Sequence, residues 1–546
     1  MLSRVPLTFF TASIGLLLLF ICTTFYLYND EPIYHASTTA QISTKVEEHW
    51  EELDRPGGVE GLDGDDSSGA TASDAIAPPA TEESYKHPAQ GIDPGEGLVD
   101  ISVDIPGRPA VSPFETDCPK ELGFLLRAAL DGGLTERVRY TRNCIKPVFS
   151  SKVNRDEVVN ITESVFDEHP VELDLLDCSE AELPKCTPIK LTVPLPYAKE
   201  TFSDIIFGIA TDYYRLNDSI PTFAHWLSGT EAKLVAAVTN IPDMTKEEMT
   251  FLKNKLEMAG IEGHIVKPLD QAFSTSESHF GVLKDMVKYS SPETRWFGLL
   301  DDDTFFPNLK PLADALSKID HTTDAYVGTL SEDFASVRNW GYMAFGGAGA
   351  YLSAPLARKV ADQILECIES SFIKEGDILI RHCVYTRSKA KLTILPGLHQ
   401  QDFQGDASGF FEAGFKPLNL HHWKSWFEAP VVAMAQAADF CGDCFLQRWR
   451  FGNDTVLSNG YSIATYRHGH ESVDLDTPEG TWDKFNGDFD FSIGPLRKPY
   501  TKQEKKTYKL LDAEITPEGH LKQLYVWKGN EVLGQLDEVV EMVWQR

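Results

Sequence analysis

Between Ser203 and Ile319 the chain alternates short apolar runs with stretches of helical period. IIFGIAT (Ile205 to Thr211), KLVAAVT (Lys233 to Thr239) and GHIVKP (Gly263 to Pro268) are continuous apolar runs of strand length, the pattern of strands buried on both faces. Phe280, Leu283 and Val287 share a helical face ahead of the next run, WFGLL. Leu309, Leu312, Ala313, Leu316 and Ile319 repeat that period after it. Strand and helix in alternation predict an α/β unit over 201–429, a mainly parallel sheet with flanking helices. After about Pro430 the period changes to two. YSIATY, FDFSIG, KTYKLLDAEI and HLKQLYVW read as strands, with turns at Pro517-Glu518-Gly519 and Gly529-Asn530. A β-rich C-terminal accessory region is expected over 430–546, after a cysteine-containing lead-in over 113–200.

The N-terminal pattern is different in kind. Residues 6–28 read PLTFFTASIGLLLLFICTTFYLY without one charge, and a bilayer core needs an uncharged helix of about 20 residues. Arg4 precedes the run and Asp30 and Glu31 follow it, so an uncleaved anchor would leave residues 1–5 cytosolic. The rival reading is a signal peptide cleaved near Ala36 or Ala40. Both put the remainder in the secretory lumen, and a single-pass type II membrane protein is the expectation. Residues 29–112 are acidic and rich in Gly, Ser, Ala and Pro, the composition of a flexible stem.

Two further features fit that compartment. Asn160-Ile-Thr, Asn217-Asp-Ser and Asn453-Asp-Thr are glycosylation sequons. Of nine cysteines, one is Cys22 in the apolar run, and the other eight suit disulfides. Cys118 with Cys144, Cys178 with Cys186, and Cys441 with Cys444 are the neighbours that spacing offers. CGDC at Cys441 to Cys444 has no second CxxC to complete a zinc site. A net charge of −32 argues against a nucleic-acid partner, which needs clustered Lys and Arg.

That acidity sharpens around RWFGLLDDDTFF, where Asp301, Asp302 and Asp303 end an apolar strand. Three carboxylates beyond a strand end lie where α/β sheets bind ligands, and oxygen ligands at that spacing suit a hard divalent cation. Alternatives are a solvated acidic loop, or Asp303 as the cap of the next helix. The D-x-D-x-Thr order of haloacid-dehalogenase-type phosphatases fails, because Thr304 comes one residue early. No G-x-x-x-x-G-K-[ST] is present for P-loop chemistry.

RWFGLLDDDTFFPNL, YVGTLSED, GYMAFGGAGAYLSAPLARKV and EGDILIRHCVYTRSKAKLTILPGLHQQDFQGD, in that order, resemble the Fringe-related branch of the family 31 glycosyltransferases, especially its plant and fungal subgroup. The resemblance spans roughly Ile205 to Trp426. It implies a GT-A fold, a UDP-sugar donor, Mn²⁺, inversion at the anomeric carbon, β-1,3-type transfer to a glycan or glycoprotein, and a Golgi membrane address. Residue by residue, it implies Asp303 and His399 as metal ligands, and Asp301 and Asp302 nearer ribose and sugar. Thr211 would lie beside the nucleotide, with Gly346, Gly347 and Gly349 in a glycine loop close to the donor. Asp377 would be the base. Animal Fringe enzymes carry a PDD-type string where this chain has Glu375-Gly376-Asp377, so the base assignment rests on Asp377 alone. Asp377 also stands where an N-cap for 378–387 belongs. His421-His422 in NLHHWKSW is the competing histidine pair, ranked behind His399.

The expected function is therefore metal-dependent transfer of a sugar from a UDP donor to an acceptor hydroxyl. The alternative is a glycan-binding or scaffolding protein that keeps the fold without turnover, against which the intact Asp303, Asp377 and His399 argue.

Overall fold

The computed structural model describes residues 118–166, 170–239, 245–483 and 492–546. The expected anchor and stem fall outside these residues. Among those described, no helix is long and apolar enough to cross a membrane.

Seven strands form the sheet that carries the site: β1 (Ile205–Asp212), β2 (Lys233–Thr239), β3 (Glu262–Val266), β4 (Trp296–Leu299), β5 (Tyr326–Gly328), β6 (Ala350–Ser353) and β7 (Leu392–Ile394). Their spatial order is β3-β2-β1-β4-β6-β5-β7. All neighbours run parallel except β6, which is antiparallel to β4 and β5. The mainly parallel α/β sheet expected from the apolar runs is thus present, as a mixed sheet. Ile205, Phe207 and Ile209 enter one core layer and Ile206 and Ala210 the other. Burial on both faces explains why these strands read as unbroken apolar runs.

Chain order reverses about β1, since β2 lies on one side of it and β4 on the other. At such a switch point the loops leave the sheet in opposite directions and open a crevice beyond the strand ends. β1 ends in Thr211 and Asp212, and β4 runs directly into Asp301–Asp303. Asp212 caps the helix that follows, α1 (Tyr213–Leu227), by accepting from the Arg215 amide. Helix α2 (Thr275–Tyr289) starts in a capping box of Ser274 and Glu277, a pair that satisfies two orphan amides reciprocally. Its Phe280, Leu283 and Met286 pack under β1 and β4.

The regions before and after this sheet join each other. A ten-stranded sheet takes strands from both, and Arg137–Phe149 lies parallel to the final strand, Asp537–Trp544, in register from Val138↔Asp537 to Ile145↔Trp544. The lead-in and C-terminal regions expected as separate pieces therefore share one sheet. Ser462–Tyr466, Lys505–Ile515 and Leu521–Trp527 are strands as the period-two pattern requires. FDFSIG lies half outside the described residues, and its Ser492 and Ile493 form a turn rather than a strand, while Val431–Cys441 is a helix. Trp449 and Trp544 of this sheet share a core with Phe207 and Trp296 of the first.

All eight described cysteines are paired: Cys118–Cys178, Cys144–Cys186, Cys367–Cys383 and Cys441–Cys444. Spacing gave the last pair correctly. It failed for Cys118 and Cys144, because Cys144 sits within the long strand that β-pairing carries toward Cys186 and away from Cys118.

Candidate active site

Asp301, Asp302 and Asp303 do three different things. Asp302 is buried and fully engaged: Arg215 donates Nε to one oxygen at 2.6 Å and Nη2 to the other, and Thr211 Oγ1 donates as well. Thr211 is thus at the strand end beside the aspartates, with its hydroxyl spent on Asp302. Asp301 keeps 40% of its side chain exposed and faces the crevice. Asp303 lies against His421, whose Nε2 stands 3.1 Å from Asp303 Oδ1 and 3.5 Å from Asp301 Oδ2.

The histidine expected beside Asp303 was His399, and the structure does not bring it there. His399 Nδ1 lies 2.9 Å from Glu332 Oε1, with the Phe410 and Phe415 rings edge-on against the imidazole. His421 takes that place because its segment is bolted to the aspartate loop. Phe305 and Leu420 exchange backbone hydrogen bonds at 2.9 and 2.7 Å, and the Trp423 indole donates to the Asp303 carbonyl at 2.7 Å. The NLHHWKSW string carried this signal, through adjacent histidines beside an indole.

His421 Nδ1 is 2.6 Å from the Gln400 carbonyl, which can only accept, so the proton sits on Nδ1. Nε2 faces Asp303 and Asp301, whose charges outweigh burial and raise the imidazole well above its ordinary pKa, while the Gln400 carbonyl remains the partner of Nδ1. Such a second partner fixes the tautomer and ring orientation of metal-bound imidazoles. Ligand atoms of Asp303, His421 and His422 come within 4.8 Å of one another. His422 is held in turn by Asp402, Nε2 to Oδ1 at 3.0 Å, and Ser331 donates to the other Asp402 oxygen at 2.5 Å. Carboxylate oxygens plus imidazole nitrogen fit Mn²⁺ or a similar divalent ion. Burial would raise the Asp303 carboxyl, but the His421 imidazole outweighs burial and holds it well below the usual range.

The glycine loop lies across this cluster. A Cβ on Gly346 would come 2.5 Å from Asp301 Oδ1 and 2.9 Å from Asp377 Oδ1, and one on Gly347 would overlap the His421 ring at 2.1 Å. Gly349 has φ +92, the left-handed region that side chains avoid. The loop is pinned by Thr304 Oγ1 and Asn419 Nδ2, both donating to the Gly347 carbonyl at 3.1 and 3.0 Å.

Asp377 does not cap its helix, α3 (Gly376–Arg387). Glu375 holds the N-cap position, without a side-chain hydrogen bond. The Asp377 carboxylate turns instead to the glycine loop and accepts the Gly346 amide at 2.8 Å. Loss of hydration around the carboxyl, then the Asp301 charge, push it up to about 8, although the residue keeps some exposed surface. A perturbed carboxyl in a crevice beside a second acid is what a general base requires. Asp303 is no helix cap either, because Asn308 caps Leu309–Leu316.

Of the three sequons, Asn160 and Asn453 are exposed. Asn217 lies within α1 and accepts from Lys255 Nζ at 2.7 Å.

The fold and site define an α/β protein with a carboxylate-imidazole cluster and a raised carboxyl at its switch point. Residues 338–438, which include the glycine loop, Asp377 and His421, match a family model described as "Protein of unknown function, DUF604". The chain is 37% identical over 87 residues to "Beta-1,3-N-acetylglucosaminyltransferase radical fringe" of Xenopus laevis, covering 14% of this chain. It spans only 25% of that curated relative's length. The likeness is thus to one family model over residues 338–438 and to a Fringe enzyme over a single 87-residue stretch. Among solved structures, mouse xyloside xylosyltransferase 1 aligns with 36% of this chain and 86% of its own, at 9% identity and a TM-score of 0.25. The WbbM bifunctional glycosyltransferase aligns over 44% and 51%, at 13% identity and 0.26. The 4-diphosphocytidyl-2C-methyl-D-erythritol synthase of Anaerococcus prevotii aligns over 36% and 90%, at 12% and 0.23. Alignments this loose do not define a common fold.

Proposed function

We propose that this protein transfers a sugar from a UDP-sugar donor to an acceptor hydroxyl of a glycan or glycoprotein, with a divalent cation and with inversion, on a GT-A-like fold. One observation carries the reading: Asp303 and His421 converge at the switch point while Asp377, across Gly346, keeps a carboxyl of raised pKa. In this reading Asp303 and His421, with His422 beside them, hold Mn²⁺. The cation, when bound, would neutralise the diphosphate and stabilise the departing nucleotide. Gly346 and Gly347 let backbone approach the donor, and Thr211 with Arg215 fixes Asp302 under it. Asp377 takes the acceptor proton, its Oδ2 held by the Gly346 amide so that the carboxylate keeps one orientation.

The Golgi lumen and an N-terminal anchor belong to the same proposal. Four disulfides support an oxidising compartment, and the uncharged run at 6–28 supports the anchor. The test is calorimetric titration of UDP with Mn²⁺ and with EDTA, followed by UDP release over a panel of UDP-sugars. Mn²⁺-dependent UDP binding and release from one donor are expected. Equal UDP affinity in EDTA overturns the metal bridge. Metal-dependent binding with no release from any donor, across an acceptor panel, favours a binding protein instead.

A further inference from the structure

The cation cluster beside the aspartates has a feature that the metal reading does not use. Arg215 spends Nε and Nη2 on Asp302, yet its side chain stays 58% exposed, with Nη1 outside that pair. Lys424, three residues beyond His421, donates to Ser219 Oγ at 2.7 Å. Ser219 Oγ in turn donates to the Arg215 carbonyl at 2.7 Å. Lys424 is thereby held against the turn of α1 that carries Arg215, and the two charges act on each other.

Among the described residues no carboxylate lies within ion-pair distance of Lys424. The chain has 82 acidic residues against 50 basic ones, so a lysine without an acid partner here needs a reason. Of the acids that act on Lys424, Asp302 is held by Arg215 and Thr211 and Asp303 by His421, while Asp218 reaches it only from beyond ion-pair distance. A neutral hydroxyl does not offset the repulsion between two neighbouring cations, whereas an anion lying between them does. Lys424 is also held in place. Its ammonium lies 5.0 Å from the Trp423 ring centroid, and that indole donates to the Asp303 carbonyl. Lysine and metal-type cluster are thereby parts of one rigid segment.

We propose that Arg215 and Lys424 form the phosphate-binding pair of the donor site, taking non-bridging oxygens of the nucleotide diphosphate. The inference rests on the nucleotide-sugar reading above and adds protein cations to it. An acidic protein then holds an anionic donor by two means, a divalent ion and a built-in cation pair.

The test is calorimetry of UDP at saturating Mn²⁺ with the wild-type protein, Lys424→Met and Lys424→Arg, with Mn²⁺ affinity measured separately by electron paramagnetic resonance. Methionine keeps the apolar stem over Trp423 and removes the ammonium, with its charge and its hydrogen bond to Ser219. A charge-assisted hydrogen bond is worth about 1.5–3 kcal/mol, so Lys424→Met should weaken UDP by ~10-fold or more. Lys424→Arg should retain affinity within ~3-fold, and Mn²⁺ affinity should be unchanged in both. UDP affinity within twofold of wild type in Lys424→Met overturns the phosphate role, as does a parallel loss of Mn²⁺ binding, which would mean a structural one. Should wild type itself bind no UDP, the nucleotide-sugar reading falls, and this inference with it.

Discussion

Substituting Gly347 by alanine probes the position of the His421 ring. The new Cβ would lie 2.1 Å from Cε1 and Nδ1 and 2.4 Å from Nε2, far inside van der Waals contact. The ring has no room to withdraw: Nδ1 is bonded to Gln400 at 2.6 Å, Nε2 faces Asp303 at 3.1 Å, and the ring centroid is 3.7 Å from that of His422. Gly347 cannot retreat either, since Thr304 and Asn419 hold its carbonyl. Overpacking of this kind costs ~1–3 kcal/mol, and a broken Gln400 hydrogen bond adds about 1 kcal/mol. Gly347→Ala should therefore destabilise by about 2–4 kcal/mol. With His421→Ala already present the clashing atoms are gone, and φ at 347 is not in the left-handed region. There the same change should cost almost nothing, or gain a few tenths through a stiffer unfolded chain. Urea denaturation of the four proteins of this cycle gives the coupling, expected at about 2 kcal/mol or more. Mn²⁺ affinity should fall in Gly347→Ala along with stability. An equal cost in both backgrounds, within ~0.5 kcal/mol, would refute the placement of the His421 ring against the glycine loop.

Further outcomes follow from the same geometry. His421→Gln should lose Mn²⁺-dependent UDP binding while His399→Gln keeps it, and the reverse result would restore His399 as the ligand. Asp377→Asn can still accept the Gly346 amide but cannot take a proton, so turnover should fall by ~10²-fold or more with UDP affinity unchanged. Because burial and Asp301 raise the carboxyl to about 8, wild-type turnover should climb with pH as Asp377 ionises. A raised carboxyl is stabilising only while protonated, so its ionised form costs stability as pH rises toward 8. Melts across about pH 5 to 9 should show Asp377→Asn losing less stability than wild type over that range. Near-normal turnover in this variant would remove Asp377 from the reaction.

Much of the central fold was legible because burial on both faces writes a strand as an unbroken apolar run. β1, β2 and β3 fall on IIFGIAT, KLVAAVT and GHIVKP within a residue or two of each end. The reversal of β6 was not legible: AYLS is as apolar as its neighbours, and strand direction is decided by pairing with β4 and β5. The joint ten-stranded sheet was hidden for a similar reason. Val138 and Asp537 are neighbours in space, and only long-range pairing brings together strands from opposite ends of the described chain. Asp377 looked like an N-cap because acidic residues favour helix starts. The amide it accepts belongs to Gly346 in a distant loop, and no local spacing encodes that choice.

The histidine assignment shows where sequence reasoning stops. His399 and His421 both follow the sheet strands, and each fixes its Nδ1 with an oxygen acceptor, Glu332 in one case and the Gln400 carbonyl in the other. As isolated residues they are equivalent candidates for a metal. They differ in what surrounds the ring: Phe410 and Phe415 flank His399, whereas His421 meets Asp303 and Asp301. That difference follows from the Phe305–Leu420 backbone bridge and the Trp423 indole, which draw one segment onto the aspartate loop. Adjacent carboxylates at a strand end repel one another unless each has its own cationic partner. Asp302 has Arg215 to itself, whereas Asp303 and Asp301 share His421 at 3.1 and 3.5 Å, and Asp301 stays half-exposed. One imidazole between two carboxylates leaves negative charge at the half-exposed Asp301, facing the crevice where a cation would complete the balance.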